Sequence, residues 1–141
     1  MVNGCADTNI AATGNGFVEV SMSERTVNLI GLANDLIKKD VSIQSAAAVI
    51  DLPSGTTIVH LNETPLLQKG FNSLLSTFQA REFGITVDDA ATRHGGGQKI
   101  CAGGQVIPLQ VKQALLYASI RKPTQAELVN QPRIMFTSGE V

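Results

Sequence analysis

The chain has 141 residues, 43% of them hydrophobic, with a mean hydropathy of +0.11 and a formal charge of −1, which describes one folded domain with a modest core rather than a disordered segment. No basic cluster offers phosphate contacts, so nucleic acid is excluded as an expected partner. No run of about 18 or more apolar residues spans a membrane, and the first residues are polar and small, unlike a secretion signal. The two cysteines, Cys5 and Cys101, form no CxxC pair and cannot build a disulfide framework; free thiols of this kind fit a reducing, cytoplasmic setting.

In chain order, Val2 leads into a tight turn, Asn3-Gly4-Cys5-Ala6-Asp7-Thr8, and apolar Ile10 follows. Phe17–Met22 alternates with period two, as does Thr26–Ile30, and both are predicted strands. Val41–Gln44 alternates again and runs into the apolar stretch Ala46–Ile50. Asp51-Leu52-Pro53-Ser54-Gly55 is a turn, with Pro fixing φ and Gly allowing positive φ. Thr56–Leu61 returns as the second strand of a hairpin. Ser73–Arg81 carries leucines and a phenylalanine at helical spacing and stops at Gly84, which predicts a short helix. Ile85–Val87, Gln98–Cys101 and Val106–Leu109 complete the strands, the last two joined across Gly103-Gly104. Thr124, with Glu127 three residues later, predicts a capped helical turn. Many short strands with one or two short helices make an all-β chain, a barrel or a sandwich.

Asn3–Ala11, then Arg25–Gly31, then Asn72–Gln79 leading to Gly84–Val87 occur in an order that resembles the retropepsin-like aspartic protease region of long-terminal-repeat retrotransposon (Copia-like) polyproteins. Gly104–Leu109 followed by Ala114–Tyr117 is similar to the closing strands of that region. Arg121–Thr124 and Phe136–Ser138 resemble its linker sequence. The resemblance implies an acid-protease barrel lobe over 1–116 and a C-terminal extension or polyprotein linker over 117–141. It also implies a peptide or polyprotein substrate, a homodimer with one site built from two copies, and no cofactor or metal.

Carried over residue by residue, the resemblance puts Asn3 at the catalytic Asp position, Gly4 at a Ser/Thr position and Cys5 at a Gly position. Ala6, Asp7 and Thr8 follow as substrate-binding positions. In such lobes two facing carboxylates share one proton, because like charges so close cannot both ionise; one then acts as base on water while the other donates to the scissile carbonyl. The Asn3 amide does neither. Gly4 has no hydroxyl to brace a partner lobe, and the Cys5 side chain crowds a position where backbone should approach substrate. Only Met1 and Val2 precede Asn3, which suggests a fragment or a differently built dimer. The expected flap, a hairpin that closes over peptide, is Gly31–Asp40, with Gly31 as its substrate-binding residue; Leu52–Thr57 is the second choice.

Other candidates read as structural. Asp7 suits a turn cap, and Asp51 is followed by Leu-Pro where Ser/Thr-Gly is needed. Arg93-His94-Gly95 and Gly96-Gly97-Gln98 suit a glycine-rich loop, and His60 and His94 lack metal-ligand spacing. Two functions from different classes remain: an aspartic endopeptidase domain inactive as written, and a non-catalytic β-rich module of the same fold that binds peptides.

Overall fold

The computed structural model describes residues 1–3, 8–14, 16–30, 37–67, 73–113 and 115–136. Strands dominate them. Two-residue β1 (Val2–Asn3) and β2 (Ala11–Ala12) come first. Three long strands follow: β3 (Val18–Ile30), β4 (Ile37–Leu52) and β5 (Gly55–Leu67). Then β6 (Leu75–Ser76) runs directly into α1 (Thr77–Glu82), and β7 (Thr86–Asp88), β8 (Lys99–Ala102) and β9 (Gln105–Pro108) form a meander. β10 (Gln110–Lys112), β11 (Leu115–Tyr117), α2 (Gln125–Asn130) and β12 (Arg133–Met135) close the described chain.

Among the described residues these strands pair into three sheets, ordered β10-β11-β1-β6, β12-β5-β4-β3 (with β2 also on β5) and β7-β8-β9. None closes on itself, so the all-β expectation holds while the barrel is replaced by three open sheets. The two strands predicted on either side of Ser23–Arg25 are one strand, β3. Its polar middle is carried by register shifts between Glu19 and Ser21 and between Met22 and Thr26, which let the ladder skip residues instead of ending. The helix predicted from Ser73 starts at Thr77, because Val2 and Asn3 pair in parallel with Leu75 and Ser76. Tertiary pairing thus overrides the local propensity of Leu-Leu-Ser.

Ala46–Ile50 explains the layering. Its five consecutive apolar residues are all 5% exposed or less, because both faces of β4 are covered. Ala46, Ala48 and Ile50 face the main core with Val59, Leu61, Ile100 and Ile107. Ala47 and Val49 face the other way with Ile58, under Leu128 of α2. A fully buried side chain of this size contributes roughly 1.5–3 kcal/mol. The stretch after 116, read from sequence as an extension or linker, lies on the same body: Ile134 and Phe136 enter the main core, and β12 pairs in parallel with β5 at Ile58–His60. The predicted cap of α2 is a full capping box, Thr124 N–H donating to Glu127 Oε1 at 3.0 Å and Glu127 N–H to Thr124 Oγ1 at 3.2 Å.

The β3–β4 pair outruns its neighbour. β5 pairs with β4 only as far as Ile43↔Pro65, whereas β3–β4 pairing continues to Ile30↔Ile37. Beyond Ile43 the hairpin is therefore a two-stranded ribbon, with Ile30 81% exposed.

Candidate functional site

Successive peptide groups of an extended segment point to opposite edges, and residues 73–76 use both. On one edge Leu75 N–H donates to Met1 O at 2.8 Å, continuing the parallel pairing of Val2 with Leu75 and Asn3 with Ser76. On the other, Leu74 and Ile10 exchange two backbone bonds of 2.8 and 2.9 Å, and Ala12 N–H donates to Ser73 Oγ at 2.9 Å. The segment is thus clasped between the outgoing and returning arms of the first turn. β1 is paired on its far side too, Val2 with Leu116 of β11. Asn3 ends this doubly flanked strand.

Beside the Asn3–Ser76 pairing lies a buried polar joint. Asn9 is fully buried. Its Oδ1 accepts from Ser76 N–H at 2.6 Å, and its backbone N–H donates to Gln79 Oε1 at 2.8 Å. Ser76 Oγ in turn accepts from Gln79 N–H at 3.1 Å, capping α1. Half-buried Thr8 donates its hydroxyl to Asn9 O at 3.3 Å. Asn9 Nδ2 has no hydrogen-bond partner among the described residues, a cost accepted in a sealed site. The side chains of Thr8, Asn9, Ser73, Ser76 and Gln79 carry no charge, and the Met1 ammonium donates to Ser73 O at 3.1 Å.

Of the positions expected to carry chemistry, Asn3 stands at the strand end and Thr8 on the returning arm. Gly4, Cys5, Ala6, Asp7 and Gly31 lie outside the described residues. The flanks of the expected flap form the exposed ribbon, where Asp40 N–H donates to Asn28 Oδ1 at 3.0 Å. The second-choice flap, 52–57, is the tight β4–β5 turn. Asn9, Ser76 and Gln79 lie within the stretches that carry the family resemblance, but sequence gives them no site role; the local signal for the joint is the spacing of Ser76 and Gln79, a serine cap with its third residue.

The remaining candidates are structural. Asp51 accepts from Thr56 Oγ1 at 3.0 Å and from Arg121 Nε and Nη2 at 2.7 and 3.1 Å. Those bonds hold its carboxyl below the usual range. Arg121 also donates to both Glu127 oxygens, at 2.9 and 2.6 Å, and this pairing lowers the Glu127 carboxyl to about 2. His60 Nδ1 lies 3.0 Å from Arg133 Nη1 and Nε2 2.9 Å from Asn62 Oδ1. A guanidinium only donates, so Nδ1 is the acceptor and the proton of the neutral ring sits on Nε2. Burial lowers the His60 pKa, the Asn62 bond opposes that, and the Arg133 charge adds to it. At Gly96 a Cβ would meet Ala90 O at 1.8 Å, the signature of a packed glycine loop. Among the described residues no group of His, Cys, Asp and Glu could hold a metal, and no helix is long and apolar enough to cross a membrane.

The chain matches no family model, no curated protein and no solved structure.

Proposed function

We propose that the chain is a retropepsin-like aspartic endopeptidase domain of a retrotransposon polyprotein, silent in turnover because Asn3 occupies the position that needs a carboxylate. The clasp at 73–76 carries this reading. Asn3 is offered at the end of a strand hydrogen-bonded on both flanks, and the returning arm is locked by Ile10, Asn9 and Ala12, the preorganisation a reacting carboxylate requires. The ribbon beyond Ile43↔Pro65 supports it as the base of a flap. In this reading two copies face their first turns across one cleft and hold an extended peptide between them. One general acid–base group is worth on the order of 10²–10⁴ in rate, and Asn3 removes it from both copies.

The test is Asn3→Asp. The folded variant is expected to cleave a peptide mixture at mildly acid pH and to be blocked by a statine-type inhibitor, while the parent chain does neither. A folded variant that stays inert, with a strand added upstream as well, ends the endopeptidase reading.

A second reading, a peptide-binding module of the same fold, is favoured by β3. It ends the order of its sheet among the described residues, and such an edge accepts an added peptide strand. Saturable binding of extended peptides, equal in the parent and Asn3→Asp and without cleavage in either, is its expected signature.

A further inference from the structure

The β10–β11 hairpin, the turn after β2 and the stretch from 117 to 122 enclose an open groove of about 470 Å³, within the roughly 300–1,000 Å³ of small-molecule sites. Its charge is one-sided: Lys112, Arg121 and Lys122 line it, and no described carboxylate does. Arg121 is committed to Asp51 and Glu127. Lys112 and Lys122 have no ion-pair partner among the described residues. Thr13, Tyr117 and Ser119 also line the groove, and the hydroxyl of none of them bonds to another described residue.

The wall is built to stay narrow. Gly16 has φ +95, and a Cβ there would meet Ile120 Cγ1 at 2.9 Å, so only glycine lets this turn close against the 117–122 stretch. In a chain of net charge −1, a concavity whose charged lining residues are all cations does not follow from bulk composition.

We propose that this groove binds a phosphate-bearing small molecule, with Lys112 and Lys122 meeting the phosphate oxygens and the Tyr117 and Ser119 hydroxyls donating to the same group. A carboxylate presents two oxygens in one plane and is satisfied by fewer donors. Two lysines and two hydroxyl-bearing residues around one concavity supply donors enough for a tetrahedral dianion with three or four oxygens. The volume leaves room for the organic body that carries it. Asn3 is not among the residues that line the groove, and the proposal stands or falls independently of its role.

Isothermal titration of the full chain with pyrophosphate and with ADP tests this. Saturable binding of at least one probe is expected, weakening as salt is raised. In Lys112→Gln/Lys122→Gln the affinity is expected to fall by about tenfold or more, the effect of losing charge-assisted bonds, with far-UV dichroism and the thermal midpoint unchanged because both side chains are exposed. Tyr117→Phe should weaken the same probe without altering its salt dependence. Absence of saturable binding by both probes overturns the proposal, as does unchanged affinity in the double variant. A single-stranded oligonucleotide binding more tightly than either probe, and losing affinity in the same variant, also overturns it, by assigning the groove to a nucleic-acid backbone.

Discussion

The joint around Asn9 and the seam around Arg121 are both polar, yet one is built of uncharged side chains and largely buried while the other is charged and partly open to water. At the joint, Asn9 and Ser76 are fully buried and bonded to each other and to Gln79. At the seam, Arg121 makes four bonds to two carboxylates, with its own side chain 43% exposed and that of Asp51 56% exposed. Counting bonds would rank the seam first. Solvent reverses the order, since exposed ion pairs are screened and give back little, whereas a buried polar group deprived of its partner keeps its whole desolvation cost. The joint therefore holds the fold around the candidate site, and the seam guides where the C-terminal segment lies.

Asn9→Ala should break that comparison most sharply. It strands the buried Ser76 N–H and is expected to cost about 1–3 kcal/mol, read from the urea midpoint; a change within error would remove the joint from the account. A cycle combining Asn9→Ala with Gln79→Ala should show coupling of roughly 0.5–3 kcal/mol, since the two share one network. A smaller effect is expected at His60. Its folded pKa lies below the ordinary 6.5, so the unfolded chain binds the proton first as pH falls. Stability from this group is full above 6.5 and drains as pH falls toward the folded value. Urea midpoints at pH 7.5 and 5 should differ, and His60→Gln should flatten the difference. Arg121→Gln is expected to do least, and nothing measurable at 1 M salt; a loss as large as that of Asn9→Ala would invert the ranking of the two networks.

Much of the fold could be read in the sequence because alternation and caps are local signals. The period-two pattern marks β4 and β5, and Thr124 with Glu127 marks α2 through its capping box. Gly103 and Gly104, at φ +56 and +75, close the predicted β8–β9 hairpin in the geometry two left-handed residues favour. What sequence could not supply came from distant pairing. Leu75 and Ser76 are strand because Val2 and Asn3 lie beside them. The polar middle of β3 belongs to one strand because bulges absorb its offset against β4. At the site, Asn3 ends β1, and the role of Asn9 was not legible. Asn9 occurs as a lone amide in a polar stretch, and its importance arises only from the peptide group of Ser76, 67 residues away, that it satisfies.

The bridge between Arg121 and Val49, two backbone bonds of 2.9 Å each, has a bearing on colloidal behaviour. β3 pairs with β4 only as far back as Val18↔Ala47, and Arg121 takes up the next stretch of that edge at Val49. Without it, the end of the apolar run, Ala48–Ile50, would present unsatisfied peptide groups on that edge to any passing strand, the kind of edge from which aggregation spreads. A chain cut before Arg121 should therefore precipitate or self-associate on expression, and the C-terminal segment acts, among its other contacts, as the solubility guard of the central strand.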